Sequence, residues 1–132
     1  MIGVDTNVLV RIFAADDLKQ QKAARDFMRQ RSPEDPAFVS AVVVAEVSWV
    51  LDRTYGFPVL AIRDALDWLF ESTNIVVEKD MLLRAAISSA AERNADISDS
   101  IIVAIAADAG ALKTVTFDRP AASRIPGMEL LK

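Results

Sequence analysis

The chain has 132 residues and a formal net charge of −4, and 52% of its residues are hydrophobic, which predicts one domain with a core of its own. No apolar run approaches the roughly 18 residues that a membrane span needs, and the N-terminus lacks the basic region of a signal peptide, so we expect a cytoplasmic protein. The absence of cysteine and histidine excludes disulfides, thiol nucleophiles and the usual zinc ligands, so any chemistry must use carboxylates, hydroxyls, amides, lysine and arginine.

Short apolar segments alternate with amphipathic ones along the first half of the chain. The opening run, residues 1–4, predicts a buried strand that ends at Asp5, after which Thr6 or Asn7 can cap a helix. The further predicted elements are a helix over 16–31, a proline-bounded loop over 32–36, a strand over 37–40 and a mostly buried helix over 41–55.

The second half of the chain continues this alternation. Gly56 ends the preceding helix, and Pro58 can open the next one, whose apolar side runs from Val59 to Phe70. The remaining predicted elements are a strand over 74–78, helices over 79–94 and 95–109, a strand over 113–117 and a short strand over 128–131. Strands that alternate with helices predict a parallel sheet covered on both faces.

Glu46 is a carboxylate in an apolar setting. Its neighbours one helical turn away are all apolar: Val42, Val43, Trp49 and Val50. This pattern predicts a side chain that is buried or lies at the mouth of a cleft. Burying an unpaired charge costs several kcal/mol, so the carboxylate would need a cation or would titrate to its neutral form. The alternative is an ion pair with a base such as Arg53.

Asp99 opens a helix that continues with apolar residues. A structural role explains it when it is considered alone, because Asp96 or Ser98 can cap the helix and the helix dipole favours negative charge in the first turn. However, Ile102 and Val103 follow one turn later on the same side. Asp99 is therefore expected to face the core side of its helix.

Asp5 and Asp118 each follow a predicted strand, and a turn or capping role also explains each of them alone. The carboxyl ends of parallel strands meet at one edge of a sheet, so we expect both acids there, within reach of Glu46 and Asp99 from adjoining helices. Two unit charges about 4 Å apart repel by about 4 kcal/mol at an effective dielectric constant near 20. Such a cluster implies a bound cation, and oxygen ligands suit Mg2+ or Mn2+.

An ion held by carboxylates can polarise a phosphoryl oxygen and generate hydroxide from water, which would allow phosphodiester hydrolysis without histidine. The net charge of −4 and the isoelectric point near 4.8 argue against a nucleic-acid partner at first sight. If four of the 19 acids bind metal, however, the other 15 face 15 bases. The remaining surface would then be balanced.

At these four acidic positions the chain resembles a PIN domain, and within that family the VapC-type ribonuclease toxins. The motifs are Asp5-Thr6-Asn7, Ala45-Glu46-Val47, Asp96-Ile97-Ser98-Asp99 and Thr116-Phe117-Asp118. Their order and spacing cover nearly the whole chain. The resemblance implies an α/β fold, a three-layer α/β/α sandwich with a parallel four- to five-stranded sheet, and Mg2+- or Mn2+-dependent endonucleolytic cleavage of RNA.

By the same resemblance, Asp5 and Asp99 are the firmest metal ligands, and Glu46 and Asp118 complete the catalytic site directly or through water. The polar positions that support these ligands are matched by Thr6, Asn7, Asp96 and Thr116. The resemblance also implies a homodimer that is neutralised by a cognate antitoxin protein, whose tail enters or covers the acidic groove.

The candidates for contact with RNA phosphates are Arg11, just beyond the first motif, and Arg119, beside Asp118. Lys19, Lys22 and Arg25 are weaker candidates. A solvated charge or a local ion pair explains each of these bases equally simply. Trp49 and Trp68 are expected to form core or subunit contacts rather than platforms for stacked bases.

Two other classes of function fit parts of the pattern. The same fold can serve as a binding module whose acids only cap helices. A phospho-receiver domain also carries acids at strand ends, but Glu46 lies in mid-helix and Lys113 precedes its strand, which disfavours that class.

Overall fold

The computed structural model describes residues 1–132 and contains five short strands and seven helices. The elements of the first half are β1 (Ile2–Gly3), α1 (Thr6–Phe13), α2 (Leu18–Arg29), β2 (Ala37–Val39), α3 (Ala41–Arg53) and α4 (Val59–Glu71). The elements of the second half are β3 (Ile75–Val77), α5 (Asp80–Arg93), α6 (Ile97–Asp108), β4 (Thr114–Thr116), α7 (Arg119–Arg124) and β5 (Met128–Leu130). None of the helices is long and apolar enough to cross a membrane.

The strands are all parallel to their neighbours, which confirms the predicted α/β class. Hydrogen bonds join them in two groups, a three-stranded sheet in the order β1-β2-β3 and a two-stranded sheet of β4 and β5. The five strands were expected in one sheet, and this division differs from that expectation. Strands of two or three residues offer few hydrogen bonds for joining a sheet.

β1 lies at the edge of its sheet because it pairs only with β2. Met1 and Ile2 are exposed, and Val4 is the buried residue of this segment. The prediction of a buried opening strand is therefore wrong for all but Val4. An apolar run cannot by itself distinguish an edge strand from a central one.

The core is built mainly from aliphatic side chains of the helices and of β2. Its fully buried members include Leu9, Val39, Val44, Val47, Leu51, Leu66, Leu69, Leu83 and Ile87. The helices that matter for the acidic residues form a contiguous series, in which α1 packs on α3, α3 on α6 and α6 on α5. This series links α1 to α6, whose first residues, Thr6 and Ile97, lie 91 positions apart in the chain.

Four of the seven helices, α1, α2, α6 and α7, begin at an aspartate cap. Asp5, rather than Thr6 or Asn7, caps α1, and Asp17 caps α2, which starts two residues later than predicted. Asp118 caps α7, a short helix that was not among the predicted elements, although a turn or a capping role had been considered for Asp118; Pro120 lies in its first turn. Proline suits this position because the first N–H groups of a helix have no intrahelical partner.

Candidate active site

Asp5 and Glu46 come together around Thr6. Asp5 follows β1, and its Oδ1 accepts a hydrogen bond of 2.8 Å from the Thr6 backbone N–H. The Thr6 side chain is buried, with 6% of the residue exposed, and its Oγ1 donates to Glu46 Oε2 at 2.9 Å. One threonine therefore links the start of α1 to the middle of α3 and holds two acids that lie 41 positions apart.

Glu46 itself is exposed, so of the two predicted placements burial is wrong, and a position at the mouth of a cleft stays a prediction. Its neighbours Val42 and Trp49 are also exposed, at 65% and 50%, so this apolar face of α3 does not pack into the core. The core face of α3 consists of Ala41, Val44, Val47, Ser48 and Leu51. The prediction failed because α3 is apolar on both faces.

Arg53 does not pair with Glu46, which was the alternative explanation for that carboxylate. Its guanidinium lies 3.4 Å from Asp52 and 3.8 Å from Asp96. It is therefore the cation nearest to the acids at the start of α6.

Asp96 and Asp99 form the second pair of acids. Asp96 caps α6, and its Oδ1 accepts from the Asp99 backbone N–H at 2.9 Å and from Ser98 Oγ at 2.6 Å. The Asp99 carboxylate accepts no hydrogen bond and forms no ion pair. Partial burial raises the pKa of Asp99 above its usual range, and the charges of Asp96 and Asp118 raise it further, while Arg53 acts in the opposite direction.

Asp118 approaches the same acids from the end of β4. Its backbone N–H donates to Thr116 Oγ1 at 3.0 Å, and its Oδ1 accepts from the Ala121 N–H at 3.0 Å. Its charge contributes to the raised pKa of Asp99, so the two carboxylates are electrostatic neighbours. Asn7 lines a groove of about 640 Å³ between α1 and α2, and Asp5 lines the same groove.

The four acids share one property, which is that none of them pairs with a lysine or an arginine. They are Asp5, Glu46, Asp99 and Asp118; of the other 15 acids, nine have a basic partner within 4.0 Å and six do not. No three carboxylates lie close enough together to bind one ion in this arrangement. The oxygen-only donor set nevertheless fits Mg2+, which commonly uses one or two carboxylates and keeps several waters.

The two arginines expected to contact RNA differ in their surroundings. The Arg11 guanidinium is engaged by Gln20 Oε1 at 2.6 Å, Tyr55 Oη at 3.1 Å and Asp16 at 3.0 Å, which is a local network rather than a free cation. Arg119 is exposed and has no ion-pair partner. Lys22 also pairs locally, with Asp26 at 2.7 Å.

Trp49 and Trp68 are partly exposed, so the expectation of core positions is wrong for both. Trp68 makes an edge-to-face contact with Phe13, with 5.7 Å between ring centroids. Whether either tryptophan contacts a second subunit stays a prediction.

Glu78 is a positioning residue that no sequence pattern indicated. Its Oε1 accepts a hydrogen bond of 2.8 Å from the Ala41 backbone N–H, and it thereby fixes the start of the helix that carries Glu46. No sequence signal could have revealed this contact, because the two residues lie 37 positions apart and neither belongs to a recognisable motif.

The chain has recognisable similarity to known proteins. A model of the PIN domain family matches residues 2–126. No curated protein sequence matches the chain. Among solved structures, the chain is similar to that of VapC20 from Mycobacterium tuberculosis, a Sarcin-Ricin loop cleaving toxin. The two share 23% identity over 93% of this chain and 94% of that chain, with a TM-score of 0.47.

Proposed function

The chain belongs to the PIN-domain family, whose members are RNA-cleaving nucleases, and from this premise we propose that it is a metal-dependent endoribonuclease. Its proposed role is that of the toxin in a toxin–antitoxin pair. The observation that carries the proposal is the state of the four carboxylates. None is neutralised by a base, and each keeps at least one oxygen without a hydrogen bond.

Existing hydrogen bonds determine which carboxylate oxygens are available. Asp5 Oδ1, Glu46 Oε2 and Asp118 Oδ1 already accept protein donors. The second oxygen of each of these residues remains open, as do both oxygens of Asp99. The N–H and O–H donors thus orient the acids and leave ligand atoms free, which is the usual arrangement of carboxylates that bind metal.

We assign Asp5 and Asp99 as direct ligands of Mg2+ or Mn2+, with Glu46 and Asp118 acting through water. A divalent cation held there would polarise the phosphodiester and lower the pKa of water. The protein's own contribution is orientation. Thr6 holds Glu46, Thr116 holds the backbone of Asp118, and Asp96 caps the helix that presents Asp99.

A protein partner is proposed to cover the acids when the enzyme is silent. Val42 and Trp49 flank Glu46 on the exposed face of α3, so a cognate antitoxin that buries these apolar residues would also cover Glu46. We further propose a homodimer. Light scattering of the purified protein, with and without the product of a neighbouring reading frame, tests both statements.

The direct test of the enzyme compares Asp5→Asn and Asp99→Asn with Asp17→Asn. Asp17 is a matched control because it is the N-cap of α2 as Asp5 is the N-cap of α1, although it accepts from the third N–H of its helix and Asp5 from the first; asparagine caps helices about as well as aspartate. We expect RNA cleavage in Mn2+ to be lost in the first two variants and kept in the third. Growth arrest on expression should follow the same pattern.

A metal titration followed by thermal unfolding separates this proposal from a silent binding module. The wild-type protein should show a melting temperature that rises with Mn2+, and Asp99→Asn should reduce the rise. Full cleavage by Asp5→Asn or Asp99→Asn would refute the assignment. A wild-type protein that neither cleaves RNA nor responds to Mn2+ would favour the binding module.

A further inference from the structure

The basic residues of the chain fall into two groups. Eight of the 15 lysines and arginines lie within 4.0 Å of an acid, which leaves seven without an ion pair. Two of the seven, Lys19 and Arg25, lie on α2. Arg84 lies over the ring of Phe70, 5.5 Å from its centroid.

The other four unpaired bases gather around α7. Arg119, Arg124 and Lys132 line one open hollow of about 780 Å³ between α7 and β5. Arg124 also lines a neighbouring hollow together with Arg93, from the last turn of α5. The acid in the first hollow is Glu129, which already pairs with Lys113 at 3.2 Å. These two hollows beside α7 are therefore lined by more bases than acids, on a protein whose net charge is negative.

This basic surface adjoins the acidic residues at both ends of α7. Arg119 directly follows Asp118. At the other end, Arg124 donates to the Asn94 carbonyl oxygen at 3.0 Å and lines a third hollow, of about 290 Å³, together with Asp96 and Ser98. A chain of phosphates that follows α7 would thus run from the acid at its start to the hollow that Arg124 shares with the acid at the start of α6.

An aromatic side chain is placed at the same junction. Phe117 immediately precedes Asp118 and is 79% exposed, although moving a phenylalanine side chain out of water is favourable. An exposed aromatic ring together with arginines that form no ion pair is a combination that binds single-stranded nucleic acid, because the arginines bind phosphates and the ring stacks on a base.

We propose that Arg93, Arg119, Arg124 and Phe117 form the RNA-binding surface that guides a single strand into the acidic site. This inference rests on the proposed ribonuclease function and specifies where its substrate lies. The arginines bind the backbone, so they contribute affinity without base specificity. Phe117 stacks on a base next to the scissile phosphate.

Binding is measured by fluorescence anisotropy with a labelled single-stranded RNA of about 12 nucleotides, in EDTA, across a series of KCl concentrations. EDTA removes divalent ions, so binding is measured apart from cleavage. Each phosphate contact contributes about 0.7 to the slope of log K against log salt for single strands. The Arg119→Gln/Arg124→Gln variant loses two such contacts, so the magnitude of its slope should fall by about 1.4. At 0.1 M salt this corresponds to an affinity about 25-fold lower than that of the wild-type protein.

The matched control is Lys19→Gln/Arg25→Gln, which removes the same charge from unpaired bases on α2 and should leave slope and affinity unchanged. Glutamine at 124 can still donate to the Asn94 carbonyl, which protects the fold. Arg119 makes no hydrogen bond in the fold, so Arg119→Gln alone should lower the slope by about 0.7. Phe117→Ala should weaken binding about 5-fold or more without changing the slope, because stacking is not a charge contact.

An arginine double variant with wild-type slope and affinity would overturn the proposal, as would an equal loss in the α2 control. Retained affinity in Phe117→Ala would remove the stacking role. These outcomes are distinguishable from failure of the proposed function, because that function is judged by Mn2+-dependent cleavage in the wild-type protein. A protein that cleaves RNA, yet binds it independently of α7, refutes this inference alone.

Discussion

The hydrogen bond from Thr6 to Glu46 gives the sharpest test of the site, since it joins two elements that carry acids. Thr6→Val replaces the hydroxyl by a methyl group of similar size in a residue that is 6% exposed. The substitution therefore removes the 2.9 Å hydrogen bond and leaves the packing volume nearly unchanged. Thr6→Ser keeps the hydroxyl and is the matched control.

The expected loss of stability follows from the surroundings of the two groups. A hydrogen bond to an ionised carboxylate contributes about 1.5–3 kcal/mol. Glu46 is exposed and can bind water once it is released, so we expect a loss near the lower limit, about 1–1.5 kcal/mol. At about 2.1 cal/mol/K of unfolding entropy per residue, this lowers the melting temperature by about 4–5 °C.

A double-mutant cycle isolates the interaction. The free energy of unfolding in urea is measured for Thr6→Val, Glu46→Ala and the variant with both substitutions. A coupling energy of about 1 kcal/mol is expected between the two positions, and RNA cleavage should fall in Thr6→Val but persist in Thr6→Ser. Losses that add within about 0.3 kcal/mol would refute the claim that Thr6 holds Glu46.

Three further predictions concern charge and packing. Burial and neighbouring acids raise the pKa of Asp99 in the folded protein, so the ionised carboxylate destabilises the fold at any pH above the unfolded-state pKa. In EDTA at pH 7, Asp99→Asn should therefore raise the melting temperature. This gain should vanish below about pH 3.9, where the carboxyl group is protonated in both states. The pKa of Tyr55, the only tyrosine, is raised chiefly by its hydrogen bond to Asp16, and absorbance titration at alkaline pH should show this pKa fall back in Asp16→Asn. Leu66 is fully buried on α4, whereas Leu60 on the same helix is 53% exposed, so urea unfolding should show a loss of about 2–5 kcal/mol for Leu66→Ala and under about 0.5 kcal/mol for Leu60→Ala.

The elements that the sequence predicted well are those with strong local signals. An apolar run that ends at Gly56 located α3, and the capping acid Asp96 located α6, because these signals act within a few residues. α7 was missed because its six residues are too few to show a period. The separation of β4 and β5 from the other strands depends on pairing between distant segments, which local pattern does not encode.

The acidic site could be predicted in composition but not in geometry. Motif order proposed Asp5, Glu46, Asp99 and Asp118, and their role stays a prediction, whereas the solvent exposure of Glu46 depends on which face of α3 meets the core. Both faces of α3 are apolar, so the sequence contained no information that could decide this. The contact of Glu78 with the start of α3 also lay beyond reach, since it is made by a backbone N–H.

Net charge is a poor guide to whether this protein can bind RNA. Charges on a protein surface are screened within about 8–10 Å at physiological salt, so a phosphate responds to the groups beside it rather than to the total of −4. Local pairs neutralise bases such as Arg11 and Lys22, and the unpaired arginines around α7 then dominate their own surroundings. The unpaired acids nearby would repel RNA by the same reasoning, and a divalent ion would convert this repulsion into attraction. RNA cleavage is therefore expected to depend on the metal ion in two ways. The ion attracts the RNA to the acidic residues, and it also assists the chemical step. Only the attraction of RNA should weaken as the salt concentration is raised.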